Sequence, residues 1–193
     1  MRRPIFTICV VAALVGAASC APQSGSPPAP GAGVPMTRAQ MIARGDYLTT
    51  VMGCGHCHTP GGAYGAPDQT RRYAGQEVGW YGSWGVTYGR NLTPDPETGI
   101  GKWTEADIVK VFQTGTRPDS TAVLHPMPWP WLASLTKEDA AAIAAYLKSM
   151  PPIVHKVPDK IPSDKIPAGT KPTGPVITFP IPPDWDVPVV PAS

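Results

Sequence analysis

The 193-residue chain is predicted to be a mostly α-helical domain, on three observations. Three segments each open with a threonine followed three residues later by a side chain able to bond back to the backbone, and each continues with apolar residues at helical spacing. No segment between them shows a clear run of strand alternation. The connecting loops, rich in Gly, Tyr, Trp and Pro, are too long for a compact domain unless they wrap something. The expected frame is therefore three principal helices with long loops around one large buried group.

The first helix opens at Thr37 with Gln40 and sets Met41, Leu48 and Met52 on one face. The second opens at Thr104 with Asp107, groups Ile108, Val111 and Phe112, and ends at Gly115. A third opens at Thr136 with Asp139, carries Ile143, Tyr146, Leu147 and Met150 as a stripe, and is stopped by Pro151 and Pro152. Trp80, Tyr81, Trp84 and Tyr88 read as wall and loop packing rather than as a platform for substrate.

The ends of the chain differ from this middle. Met1, Arg2 and Arg3 precede an apolar run from Ile5 to Val15, too short to span a membrane but suited to secretion, so residues 1–19 are expected to be a signal peptide. Gly16-Ala17-Ala18-Ser19-Cys20 resembles a bacterial lipobox, which makes Cys20 the lipidated start of an exported, periplasmic, membrane-tethered lipoprotein; cleavage after Ala21 is the alternative. Residues 20–35, rich in Pro, Gly, Ser and Ala, form the lipid-anchored flexible linker. Residues 153–193 are a Pro-rich extended tail, since prolines at that density forbid helix interiors and central strands. Its apolar residues, among them Ile177, Phe179, Ile181, Trp185 and Val187, suit either a strand-like wrap over the domain or a docking segment.

Charge excludes another class of function. The 16 basic and 14 acidic residues nearly balance, and Arg2 and Arg3 fall in the leader, so no nucleic-acid footprint exists. Cys9 lies in the leader and Cys20 at its end, leaving Cys54 and Cys57 and no disulfide framework.

Those two cysteines stand in Cys54-Gly55-His56-Cys57-His58, a C-x-x-C-H sequence, the attachment signature of c-type haem. Thiols two residues apart can bond covalently to the two vinyl groups of one haem, and the adjacent His58 then becomes the proximal iron ligand. Two rivals exist. Thiol exchange expects an acidified cysteine and a βαβ pattern, and zinc expects a second ligand pair, which His125 and His155 are not spaced to provide.

For the sixth iron position the sequence points to Met127, held in His125-Pro126-Met127-Pro128-Trp129-Pro130 by rigid prolines. Met150 reads as core, and His125 is the alternative ligand that would lower the potential. Trp103 and Arg90 are candidate donors to the haem propionates; core filling and solvation are their plainer roles. The expected cofactor-binding set is thus Cys54, Cys57, His58, Met127, Arg90 and Trp103, with His58 and Met127 on the metal.

These motifs, together with Asn91-Leu92-Thr93-Pro94-Asp95-Pro96-Glu97-Thr98-Gly99-Ile100-Gly101-Lys102-Trp103-Thr104 and Met127-Pro128-Trp129-Pro130, carry a resemblance over roughly Thr37 to Pro152. The sequence resembles class I cytochrome c domains, in particular those in cytochrome subunits of bacterial membrane-associated alcohol and sugar-acid dehydrogenases. The resemblance implies a class I cytochrome c fold over residues 36–152, with the first and third helices crossing so that Gly45 and Tyr47 pack near Tyr146 and Leu147. It implies one covalently attached haem c and no catalysis: a periplasmic monohaem carrier of single electrons between a redox donor and acceptor, a dehydrogenase or terminal oxidase among the candidates. Those subunits usually carry several haem motifs and this chain carries one. The alternatives are an electron-transfer subunit of a dehydrogenase complex, and a haem enzyme or sensor whose distal ligand leaves.

Overall fold

The structure, a computed structural model, describes residues 35–170, 172 and 174–178. The expected signal peptide and lipidated Cys20 lie outside the described residues, as do the linker up to residue 34 and Phe179, Ile181, Trp185 and Val187. In chain order the elements are α1 (Arg38–Val51), α2 (Cys54–His58), β1 (Gly79–Gly82), β2 (Gly85–Tyr88), α3 (Glu105–Thr114), α4 (Trp129–Leu132), α5 (Lys137–Ser149), β3 (Ile161–Pro162) and β4 (Val176–Thr178). No helix among the described residues is long and apolar enough to cross a membrane.

The three long helices begin where their threonines lie. Thr37 and Gln40 close a full capping box on α1, and Thr104 and Asp107 close one on α3, each satisfying amides that the first turn leaves without partners. On α5 the box is half made. Thr136 accepts from the Asp139 amide, but the Asp139 carboxylate turns instead to Arg44 on α1, with bonds of 2.9 and 3.2 Å. A local cap has been exchanged for a two-pronged ion pair between helices.

Helix α5 lies between α1 and α3, which is why Ala140 and the run from Ala142 to Leu147 are buried on all sides. Alanines there let α1 approach closely. At the crossing, a Cβ on Gly45 would run into the carbonyl oxygen of Ala142 and sit 2.6 Å from the Tyr146 Cβ. Leu48, Tyr73, Ile100, Ile108, Phe112, Ile143 and Leu147 form the core around this contact. Met52, expected on the buried face of α1, is instead exposed, beyond the helix end.

The structure corrects the expectation that the loops hold no strands. The described residues contain a four-stranded sheet in the order β3-β2-β1-β4. β1 and β2 form an antiparallel hairpin with Trp80 opposite Thr87 and Tyr81 opposite Val86; Gly85 turns it with φ of +97°, a conformation that glycine adopts freely. The aromatic cluster therefore builds a hairpin, with Trp80 buried. The other two strands come from the C-terminal stretch: β3 pairs antiparallel with β2, and β4 pairs parallel with β1.

That C-terminal stretch is a strap over the domain. Ile153 and His155 use their backbones on the loop that begins at Asn91: Asn91 Nδ2 donates to Ile153 O at 2.8 Å, and Thr98 Oγ1 accepts from the His155 amide at 3.0 Å. Val157 is buried against Gly75. The proline-rich sequence is compatible because Pro162 lies in a two-residue edge strand, where its missing N–H costs little.

Candidate cofactor site

Helix α2 carries both cysteines and His58 in five residues. It starts from Gly53, whose φ of +68° is left-handed, letting the chain turn sharply out of α1. Its carbonyls are tied to the surrounding loops. Gln76 Nε2 donates to His56 O at 3.2 Å, and the Gly75 amide donates to His58 O at 2.8 Å. Gly62 and Gly89 let neighbouring backbone lie directly on the helix: a Cβ on Gly62 would sit 2.7 Å from His56 O, and one on Gly89 would overlap Cys57 O.

His58 is buried, and its Nδ1 lies 2.8 Å from the Arg90 carbonyl oxygen. A carbonyl can only accept, so Nδ1 carries the proton and Nε2 keeps a free lone pair, the arrangement found in metal-ligating histidines. Nε2 makes no hydrogen bond among the described residues. Burial holds the imidazole pKa below its ordinary value, only partly opposed by the Arg90 carbonyl, which keeps the ring neutral.

Burial also pushes the Cys54 thiol up to about 11 and raises that of Cys57. A thiol that exchanges disulfides needs the opposite shift. Nor do three His, Cys, Asp or Glu side chains converge as a metal-binding cluster among the described residues, which argues against zinc.

Met127 is half-buried and packs, like Cys54, Leu92 and Trp103, against the helical core. Its loop is tight: its amide donates to Leu124 O at 3.2 Å, and the Trp129 amide donates to its carbonyl at 2.9 Å. Met150 packs on the same core from the end of α5. The remaining histidines are engaged elsewhere. His56 is 6.0 Å from the Trp80 ring, His125 is 5.4 Å from the Trp84 ring, and His155 Nε2 lies 2.9 Å from Glu77.

The Arg90 guanidinium is exposed and donates to Pro158 O at 3.1 Å. The residue's nearest service to the site is its backbone carbonyl under His58. Arg117, half-buried, belongs to the turn that follows α3. Its Nη1 donates to Ala122 O at 2.7 Å, and burial together with the charge of nearby Arg90 holds its guanidinium below the ordinary range.

Two thiols and a tautomer-fixed imidazole on one short helix, set against capped core helices, are the donor set of a covalent-haem domain. The chain belongs to the cytochrome c family, whose model, described as "Cytochrome c", matches residues 42–151. It is 36% identical over 123 residues to the cytochrome c subunit of a quinone-dependent alcohol dehydrogenase from Gluconobacter oxydans (strain 621H), covering 62% of this chain and 24% of that protein. Identity is 34% over 116 residues to the fructose dehydrogenase cytochrome subunit of Gluconobacter japonicus, with 56% and 22% covered. It is 31% over 110 residues to the gluconate 2-dehydrogenase cytochrome c subunit of Pantoea cypripedii, with 55% and 22% covered. The chain thus spans about a quarter of the length of these relatives. The family binds haem c covalently, and these relatives are cytochrome subunits of dehydrogenases.

Proposed function

We propose that this protein is an exported monohaem cytochrome c domain that passes single electrons between redox partners outside the cytoplasm. The observation that carries this is the His58 to Arg90 hydrogen bond, which presents Nε2 as a ready iron ligand on the helix that bears both thiols. In this reading Cys54 and Cys57 hold the haem covalently, His58 is the proximal ligand and Met127 the distal one. Bound there, haem supplies a one-electron ferrous/ferric couple.

The chain's own residues keep that couple simple. The fixed tautomer of His58 and the proline-bounded Met127 loop hold both ligands through the redox change, so little reorganisation accompanies transfer. Arg90 and Trp103 are the proposed propionate donors. No residue acts as general base or nucleophile. The leader, lipidated Cys20 and the linker to residue 35 belong to the same proposal and rest on their sequence alone.

Optical spectroscopy of the haem-loaded protein tests it. The expected result is six-coordinate low-spin iron that ignores carbon monoxide. High-spin iron, or ready binding of carbon monoxide, would favour an enzyme or sensor with a labile distal ligand. A second reading, a subunit within a dehydrogenase, is favoured by the relatives' printed roles. Co-purification with a flavin- or quinone-bearing subunit would support it.

A further inference from the structure

One short stretch, residues 87–90, touches both sides of the proposed ligand pair. At one end Thr87 Oγ1 donates to the His125 carbonyl at 2.6 Å, two residues before Met127. At the other, Gly89 lies against the Cys57 carbonyl and the Arg90 carbonyl accepts from His58 Nδ1. The Met127 amide and carbonyl bond within their own loop, so the Thr87 hydroxyl supplies a tie from that loop to another element.

The stretch is clamped from outside by the strap. Gly85 pairs with Pro162 and Val86 with Ile161, and Arg90 Nη1 donates to Pro158 O. Val86 is fully buried. The His125 ring rests beside Trp84, 5.4 Å between centroids, so the hairpin holds this loop by side chain as well as by hydrogen bond.

We infer that Thr87 is a positioning residue for the Met127 loop, and that the C-terminal strap keeps it in place by pairing with β2. This rests on the distal role proposed for Met127. Thr87 touches neither iron nor haem in this account; it acts through the His125 carbonyl. Without the hydroxyl the loop opens more often, and an outside ligand competes better for the iron.

The test titrates imidazole into the ferric, haem-loaded full-length protein. Thr87→Val is expected to bind imidazole about fivefold more tightly than wild type, the equivalent of one neutral hydrogen bond, and Thr87→Ser is expected to restore the wild-type affinity. Arg44→Ala, which breaks the ion pair between α1 and α5, should lower the melting temperature without moving the affinity, which separates positioning from general loosening. Ile161→Gly tests the strap, because glycine disfavours the strand that pairs with Val86 and leaves the hairpin turn untouched; it should also tighten imidazole binding. If Thr87→Val yields no loaded protein, Thr87→Ala carries the same expectation. Equal affinities in wild type and the Val or Ala variant would overturn the role of Thr87, and an unchanged affinity in Ile161→Gly would overturn that of the strap. A wild-type ferric spectrum without the long-wavelength band of thioether-ligated iron would instead sink the Met127 assignment, a separate failure.

Discussion

The His58 imidazole and the Arg90 carbonyl oxygen are 2.8 Å apart, and this contact settles which ring nitrogen is free. The Nδ1 proton should therefore be shielded from solvent. Proton NMR of the haem-loaded protein should show it exchanging slowly with deuterium; exchange within the dead time would mean that the bond is not held.

Gly45 is expected to tolerate no side chain. Gly45→Ala would drive a Cβ into the Ala142 carbonyl and toward the Tyr146 Cβ, so α1 must move off α5. Overpacking of this kind costs about 1–3 kcal/mol. Urea unfolding should show the loss, and an unchanged midpoint would contradict the close crossing.

Arg44 and Asp139 form a pair whose side chains are each 17% exposed, shielded enough to count. A double-mutant cycle with Arg44→Ala and Asp139→Ala should give a coupling of about 1 kcal/mol or more. A coupling near zero would place the pair with ordinary surface contacts.

The helices and the attachment motif were legible in the sequence because both are local. Thr37, Thr104 and Thr136 each meet their partner within one turn, and Cys54, Cys57 and His58 lie within five residues. The sheet was not legible, because its strands are two to four residues long and their partners are remote: Gly79 meets Val176, and Val86 meets Ile161. Alternation over four residues carries little signal, and the prolines of the tail masked an edge strand. The Arg90 carbonyl was invisible because any residue offers one. The Asn-Leu-Thr-Pro-Asp stretch was legible as a motif but not as what it does, which is to seat the strap. Asn91, Thr93 and Asp95 are buried, with Asn91 bonded to Ile153 O and Asp95 Oδ1 accepting from the Thr98 amide at 2.6 Å.

Stability should fall in acid. Hydrogen bonds from Thr70 and Arg71 hold Asp68 at about 2, against an ordinary 3.8, and donors from Thr98 and Thr104 lower Asp95 and Asp107. A depressed carboxylate contributes stability that is present above its unfolded pKa and lost as pH falls through the folded one. The loss should therefore run from about pH 4 to about pH 2. Asp95→Asn should flatten that decline in a series of thermal melts, and an unaltered slope would remove Asp95 from the account.

Without Arg2 and Arg3 the acidic and basic residues balance, so the electron-transfer rate should depend weakly on salt. Stopped-flow reduction across a range of ionic strength checks this; a steep fall with added salt would reveal a concentrated charged patch.

The central claim is a single haem bonded through Cys54 and Cys57. Its most direct test is the denatured intact mass of protein matured in cells competent for haem attachment. The expected mass is the processed chain plus one haem, reverting to the bare chain in the Cys54→Ala/Cys57→Ala variant. A wild-type mass of the bare chain alone would contradict the account.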